Sequence, residues 1–192
     1  MTETFLIIGL GNPGREYRET RHNIGFMLLD LLRVKLNARF TRLQSRALVT
    51  SANYQERKVI LAKPQTFMNL SGQSVQGLMH FYKLPLENLL IAHDDLDLPV
   101  GAIRIRPDGG SAGQKGMTSI LERLGTDEFA RIRLGIGHPP GQMQAPDYVL
   151  QDFSNTELIV ISETLNRAVE AALMWVTDGL DAAMNKFNGI LP

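Results

Sequence analysis

Residues 5–14 read Phe-Leu-Ile-Ile-Gly-Leu-Gly-Asn-Pro-Gly, a short apolar run that ends in closely spaced glycines. The Ile- and Leu-rich run predicts a buried strand, and the glycines let the backbone turn sharply because they carry no Cβ atom. The segment Thr20-Arg-His-Asn23 follows within a dozen residues. Asn12 and His22 are therefore expected just beyond a strand end, where open α/β sheets have their clefts.

The rest of the chain alternates between strand-like and helix-like segments. Strands are predicted at 5–10, 47–51, 59–62, 89–93, 102–106 and 132–136, with the second and third forming a hairpin. Helices are predicted from the Asn23 cap to residue 36, at 70–82, 117–124 and 157–176, and after Gly179. This alternation predicts one α/β domain over residues 1–192: a mixed, twisted sheet flanked by helices on both faces, with the C-terminal helices near the cleft.

Composition restricts the class of protein. The chain has 192 residues, enough for one compact domain, and it contains no cysteine for a disulfide, a thiol nucleophile or a thiolate metal site. No apolar stretch is long enough to span a membrane, and the N-terminus lacks the basic start of a secretory signal, so we expect a cytoplasmic protein. Residues 1–63 carry eleven Lys/Arg against five Asp/Glu, whereas residues 138–192 carry two against seven. Such asymmetry favours a polyanionic partner, although a merely solvated surface would have the same composition.

An acidic cluster follows the predicted strand at 89–93 and reads His93-Asp-Asp-Leu-Asp97. Asp94 falls at the strand end, where its carboxylate is able to hold one imidazole nitrogen of His22 as N–H and leave the other free as a base. A calcium loop is excluded because Pro99 occupies a ligand position. A divalent site is disfavoured because neighbouring strand residues point to opposite faces, and a purely structural turn remains an alternative.

Two catalytic or cofactor signatures are present only in part. Gly9-x-Gly11-x-x-Gly14 spells the dinucleotide fingerprint, but Pro13 removes one N–H donor and the next residues have no apolar helical stripe. Gly109-Gly-Ser111-Ala-Gly113 spells the nucleophile elbow of serine hydrolases, but Pro107 and Asp108 separate it from the preceding strand. Neither a nucleotide cofactor nor a serine nucleophile is expected.

Asn69 belongs to the segment Thr66-Phe-Met-Asn-Leu-Ser-Gly72, which opens a predicted helix. It is either the N-cap of that helix or a carboxamide directed into the cleft. Because Asn12, His22, Asn69 and Asp94 all follow strand ends, we expect them to share one pocket. The other histidines are given no chemical role: His80 packs in or lies exposed on a helix, His93 is a hydrogen-bonded core residue, and His138 lies in a loop.

Several motifs together resemble the bacterial-type peptidyl-tRNA hydrolase family. They run in order along nearly the whole chain: Gly9-Leu-Gly-Asn-Pro-Gly, Thr20-Arg-His-Asn-Ile-Gly, Lys63-Pro-Gln-Thr-Phe-Met-Asn-Leu-Ser-Gly, His93-Asp-Asp-Leu-Asp-Leu-Pro and Arg131-Ile-Arg-Leu-Gly-Ile-Gly-His-Pro. The resemblance implies hydrolysis of the ester that joins a peptide to the 3′-terminal ribose of tRNA, without metal or organic cofactor. It also implies a monomer in translation whose only required partner is tRNA.

By the same resemblance, His22 is the catalytic base and Asp94 holds it in its basic form. Asn12 senses the blocked amino group, and Asn69 holds the substrate beside the reacting carbonyl. Tyr17 and Phe67 match residues that line the groove for the tRNA end.

Two further sets of residues bear on RNA binding. Arg106 and Arg133 match basic positions that clamp the terminal phosphate of tRNA, which a guanidinium fork suits, although exposed strand faces often carry arginine. Gln114 and Lys115 stand where the family usually carries a histidine and an asparagine that contacts substrate and water. Lysine is able to bind a ribose hydroxyl or a phosphate but offers no carbonyl acceptor. This departure keeps open an alternative, a non-catalytic RNA-binding protein similar to a splicing cofactor related to this family.

Overall fold

A computed structural model describes residues 3–190 of the chain. Eight strands form one mixed sheet in the order β2-β3-β4-β1-β5-β7-β6-β8. Their bounds are β1 Thr4–Gly9, β2 Arg42–Gln44, β3 Ala47–Tyr54, β4 Arg57–Pro64, β5 Leu89–Asp95, β6 Ala102–Arg106, β7 Ala130–Gly135 and β8 Gly189–Ile190. The β3–β4 hairpin and the mixed sheet are as predicted, with β3 and β4 antiparallel over eight residue pairs.

Helices cover both faces of this sheet. Their bounds are α1 Ile24–Lys35, α2 Ser71–Tyr82, α3 Lys115–Leu124, α4 Ala145–Val149, α5 Asn155–Asp178 and α6 Leu180–Phe187. One core joins α1, α5 and α6 to the face that carries Ile7, Ala92 and Leu134. The other joins α2 and α3 to the face that carries Ile8, Ile60 and Ile91. The predicted helical layers on both faces are therefore confirmed.

Strand β1 lies in the centre of the sheet, between β4 and β5, and pairs with both in parallel. The carboxyl ends of the three strands consequently open at one edge. The loop that carries Asn12 leaves β1 at this edge, the loop that carries Asn69 follows β4, and Asp94 is the second-last residue of β5. Parallel pairing thus brings together three of the four predicted catalytic residues from distant parts of the chain.

Two glycines allow α1 to approach this edge closely. A Cβ atom on Gly9 would lie 2.1 Å from the carbonyl oxygen of Gly25, and one on Gly25 would lie 2.5 Å from the carbonyl oxygen of Ala92. The first turn of α1 therefore rests directly on β1 and β5, which places the preceding 3-10 turn, with His22, above Asp94. Glycine is required at position 9 mainly because any Cβ atom would block this close approach of two backbones. The sharp turn expected from the sequence is a lesser requirement there.

Three local features differ from the sequence predictions. Asn23 precedes α1 but its side chain makes no capping hydrogen bond; it bonds to the backbone of Asn12 instead. Helix α4 was not predicted because it is short, carries a proline in its first turn, and follows the Pro/Gly-rich loop at 138–144. The edge strands β2 and β8 were not predicted because they contain only three and two residues.

Candidate active site

A cleft of about 370 Å³ opens at the carboxyl ends of β1, β4 and β5. Its wall includes all four predicted catalytic residues: Asn12, His22, Asn69 and Asp94. The other lining residues come from the segment after β4, the end of β5, the glycine-rich loop before α3, and α4. The convergence predicted from the strand ends is therefore present in the structure.

His22 and Asp94 form a hydrogen-bonded pair in this wall. The Nδ1 atom of His22 lies 2.8 Å from Oδ2 of Asp94. Their side chains are 11% and 3% exposed, so water competes little for the contact. Because an ionised carboxylate only accepts hydrogen bonds, the proton of the neutral ring lies on Nδ1 and the lone pair on Nε2. The pair thus has the arrangement that a general base requires.

The second oxygen of Asp94 is occupied as well. Nε2 of Gln114 donates to Oδ1 of Asp94 at 3.0 Å, and Oε1 of Gln114 accepts from the backbone N–H of Met117 at 2.7 Å. Gln114 is the N-cap of α3 and is 8% exposed. Sequence comparison marked this position only as a departure from the family pattern; the contact with Asp94 was not foreseen, because it depends on where α3 begins in space.

The backbone of Asn12 is held in a frame made by Asn23. Oδ1 of Asn23 accepts from the backbone N–H of Asn12, and Nδ2 of Asn23 donates to its carbonyl oxygen, both at 2.9 Å. Oδ1 of the Asn12 side chain accepts from the backbone N–H of Met68 at 2.8 Å. No residue in the range 3–190 accepts a hydrogen bond from Nδ2 of Asn12, so this group is available to a ligand and Asn12 offers the cleft a hydrogen-bond donor.

A second part of the cleft wall is exposed. Phe67 is 59% exposed, and Asn69 and Lys115 are also exposed. The Asn69 amide and the Lys115 ammonium make no hydrogen bond with any residue in the range 3–190, and Asn69 lies inside a 3-10 turn rather than capping α2. Tyr17 is half-buried in the turn at 15–17 and is not among the lining residues of the cleft.

Arg21 connects the turn of His22 to the C-terminal part of the chain. It is 7% exposed, donates to the carbonyl oxygen of Asp152 at 2.7 Å and pairs with Glu157 at 2.8 Å. Its guanidinium also lies over the ring of Tyr148 at 4.3 Å. Burial by itself raises the pKa of Glu157, but hydrogen bonds from Ser154 and Arg21 outweigh it and hold the pKa below its usual value. These contacts fix α4 and the start of α5 beside the cleft.

Four arginines lie on one face of strands β6 and β7. Arg104 is paired with Arg133 and Arg106 with Arg131, and side chains two residues apart on a strand share a face. Arg104 and Arg106 are exposed, whereas Arg131 is buried and donates to backbone carbonyls of Gly109 and Asp127. Arg104 therefore lies on the same face as Arg106 and Arg133, the two arginines singled out in the sequence.

Arg133 is partly engaged within the protein. Its Nε atom donates to Oδ2 of Asp95, whose side chain is 2% exposed. Its two terminal nitrogens make no hydrogen bond within residues 3–190. Arg133 is therefore both the partner of a buried carboxylate and a donor that faces outward from the sheet.

His93 is buried, as predicted, and its Nδ1 atom lies 2.8 Å from the carbonyl oxygen of Asp94. Burial lowers the pKa of His93, against the opposing effects of this hydrogen bond and the nearby carboxylates.

His80 and His138 are exposed. Within residues 3–190, no three His, Asp or Glu side chains are grouped so that they could hold a metal ion. No helix in the same range has the length and apolar character needed to cross a membrane.

Comparison with known proteins agrees with the geometry of the cleft. The family model described as peptidyl-tRNA hydrolase matches residues 6–191. The chain belongs to the peptidyl-tRNA hydrolase family. The resemblance drawn from the sequence motifs is thereby confirmed.

Members of the peptidyl-tRNA hydrolase family align with this chain over nearly its full length. The peptidyl-tRNA hydrolase of Desulforamulus reducens is 50% identical over 183 residues, which cover 95% of this chain and 88% of that protein. The peptidyl-tRNA hydrolase of Thermoanaerobacter sp. is 46% identical over 185 residues, which cover 96% of this chain and 100% of that protein. A crystal structure of peptidyl-tRNA hydrolase from Acinetobacter baumannii superposes with a TM-score of 0.92 at 34% identity, covering 99% of this chain and 97% of that one.

Proposed function

We propose that His22 is the general base, and Asp94 the group that orients it, with which this protein hydrolyses the ester of peptidyl-tRNA. The observation that carries this assignment is the 2.8 Å contact between Nδ1 of His22 and Oδ2 of Asp94 at the wall of the cleft. In this role Nε2 takes a proton from a water molecule as that water attacks the ester carbonyl. The carboxylate of Asp94 then stabilises the imidazolium that forms.

An ester is a suitable substrate for so small a set of groups. Its alkoxide leaving group departs more readily than an amine, so activation of water and stabilisation of the oxyanion are sufficient. A positioned base contributes about 10²- to 10⁴-fold, and a single oxyanion donor about 10²- to 10³-fold. Asn69, whose amide is free at the cleft, is the candidate for holding the reacting carbonyl.

Asn12 supplies selectivity for a blocked amino group. Because its Oδ1 is taken by Met68, its free Nδ2 donates to the carbonyl oxygen of the amide that blocks the substrate's amino group. An unblocked aminoacyl-tRNA has no such carbonyl, and its ammonium group offers only donors. A site whose donor is left without an acceptor rejects the wrong substrate more strongly than a merely apolar site does.

The exposed residues are assigned to the tRNA. The ring of Phe67 offers a stacking surface for an unpaired base, and the Lys115 ammonium offers a charge for a phosphate or a ribose hydroxyl. Tyr17 lies outside the cleft wall and is proposed to contact the tRNA end only at its margin. Arg106 and Arg133 bind phosphate on the face of β6 and β7, together with Arg104.

We propose that the protein acts as a monomer without a protein partner or cofactor, because base catalysis by His22 and hydrogen bonds from Asn12 and Asn69 suffice for the ester hydrolysis described above. We also place its action in the cytoplasm, where peptidyl-tRNA arises during translation.

The experiment is steady-state hydrolysis of an N-acetylated aminoacyl-tRNA by the wild type and by His22→Ala. We expect His22→Ala to lose about 10²- to 10⁴-fold in kcat with little change in KM, because the base acts after binding. His80→Ala, which removes an exposed histidine on α2, is the matched control and should retain wild-type turnover. Tight RNA binding by the wild type with no turnover above the His22→Ala background would reject the assignment and favour a non-catalytic RNA-binding protein.

A further inference from the structure

Gln114 divides its amide between two unrelated tasks. Its Oε1 atom caps α3 by accepting from the backbone N–H of Met117, and its Nε2 atom donates to Oδ1 of Asp94. The first contact stabilises the start of α3. The second reaches the carboxylate that holds His22, whereas no hydrogen bond joins Gln114 to His22 in the described part of the chain.

The orientation of this amide is determined by its surroundings. The N–H of Met117 requires an acceptor, so the oxygen must face it, and the NH₂ group then faces the carboxylate. A rotation of the amide by 180° would place two donors together at Met117 and two acceptors together at Asp94. The buried position of Gln114 leaves little room for water to repair such a mismatch.

Asp94 is consequently held at both of its oxygens. Gln114 binds Oδ1 at 3.0 Å and His22 binds Oδ2 at 2.8 Å. A carboxylate anchored only through His22 would be free to rotate about its terminal torsion, which is broad for Asp. The second hydrogen bond restricts that rotation and keeps Oδ2 in the plane that His22 requires.

We propose that Gln114 is a positioning residue for catalysis, which fixes the Asp94 carboxylate so that His22 keeps its proton on Nδ1 and its lone pair on Nε2. This inference rests on the proposed roles of His22 and Asp94. The amide also has a property that the histidine usual in the family lacks: it does not titrate between pH 4 and pH 9, so the number of protons at this position stays constant.

Gln114→Ser separates the two tasks. Serine is a preferred N-cap residue and keeps α3 stable, but its side chain is too short to reach Asp94. We expect a modestly lower melting temperature, because Oδ1 of Asp94 loses its donor, an unchanged KM, and a kcat lower by about 10- to 100-fold, as for removal of a group that orients a functional side chain. A folded Gln114→Ser protein that turns over within about twofold of the wild type would overturn the proposal.

Gln114→Glu provides an independent measurement through its pH profile. The glutamate keeps an oxygen for Met117 and, while protonated, still has an O–H to donate to Asp94. When it ionises, it places a second carboxylate against the first, and two carboxylates that share a site repel each other. We expect kcat of this variant, divided by the wild-type value at the same pH, to fall as the pH rises. A ratio that stays constant across the pH range would contradict the role of Nε2 as a donor.

His22→Ala, measured beside these variants, distinguishes a failure of the positioning role of Gln114 from a failure of the base assignment of His22. If His22→Ala is inactive while Gln114→Ser is fully active and stable, only the role of Gln114 is lost. If His22→Ala retains full activity, the assignment of the base itself fails.

Discussion

Two parts of the cleft wall differ in how many of their polar groups have hydrogen-bond partners within the protein. On the wall that carries His22, Asp94 and Gln114, each side chain is almost fully buried and has a hydrogen-bond partner within the protein. On the wall that carries Asn69 and Lys115, the side chains are exposed and have none among residues 3–190. The first wall is therefore organised before substrate arrives, whereas the second makes its contacts only with substrate.

This difference has a physical cause. A base must hold one protonation state and one orientation in the transition state, and a buried network supplies both without reorganisation during the reaction. Contacts with a flexible tRNA end need reach more than rigidity, and surface side chains provide it at little cost in stability. Changes on the buried wall should therefore lower kcat, and changes in the exposed residues assigned to the tRNA, such as Phe67, Lys115 and Arg106, should weaken binding.

The largest effect is expected from Asp94→Asn on the buried wall. An amide in this place offers an NH₂ group either to Nδ1 of His22 or to the NH₂ group of Gln114, so one of the two contacts must break. If the amide faces His22, it favours the wrong tautomer, and we expect a kcat lower by about 10²- to 10⁴-fold. KM for N-acetyl-aminoacyl-tRNA should change little, and an unchanged kcat would contradict the orienting role of Asp94.

A smaller effect is expected from the arginine face. Arg106→Ala should weaken tRNA binding by about 3- to 10-fold and reduce its salt dependence by about one unit of slope, because one phosphate contact is lost. Hydrolysis of a short 3′-end mimic should be unaffected. Arg42→Ala, on edge strand β2 at the other side of the sheet, removes the same charge as a control.

Arg133→Ala differs from Arg106→Ala because it also leaves the buried carboxylate of Asp95 without its partner. We expect it to weaken tRNA binding more than binding of the short mimic and, in addition, to lower the melting temperature. Equal losses on tRNA and on the mimic would show that the arginine face does not recognise a phosphate outside the cleft.

The smallest effect on turnover is expected from His93, which is part of the buried wall but has no assigned chemistry. Burial keeps the pKa of its folded-state imidazole below 6.5, so the unfolded chain takes up a proton at a higher pH than the folded one. The free energy of unfolding therefore keeps the full contribution of the neutral, buried His93 above about pH 6.5. That contribution is lost as the pH falls through the lower pKa of the folded state. Equilibrium unfolding in urea between pH 8 and pH 5 should show this loss for the wild type and a weaker loss for His93→Gln. Equal slopes would contradict the assignment of a neutral, buried His93.

Much of this architecture was predictable from the sequence. Short apolar runs such as 89–92 indicate burial directly, and parallel strand order then explains why Asn12 and Asp94 line the same cleft. The pairing of His22 with Asp94 followed from their positions just beyond neighbouring strand ends. Each of these inferences depends on local pattern and on a general rule of sheet topology.

Contacts that depend on the spatial relation of two elements were not predictable in the same way. Asn is a preferred helix-capping residue, yet the side-chain amide of Asn23 bonds to the backbone of Asn12. The close approach of Gly9 and Gly25 brings Asn23 and Asn12 together. Gln114 is marked in the sequence only as a departure from the family pattern, and its contact with Asp94 becomes evident only once α3 is placed beside that residue. Nothing in the local sequence around either residue reports these partners.

We infer that the buried wall is complete in the free protein, with the His22 proton held on Nδ1 by Asp94. The most direct test is ¹⁵N NMR of the histidine side chains in the substrate-free protein near pH 8, with His22→Ala used to assign the signals. We expect a His22 ring with its proton on Nδ1 and a bare Nε2. A proton on Nε2, or rapid exchange between the two tautomers, would contradict it.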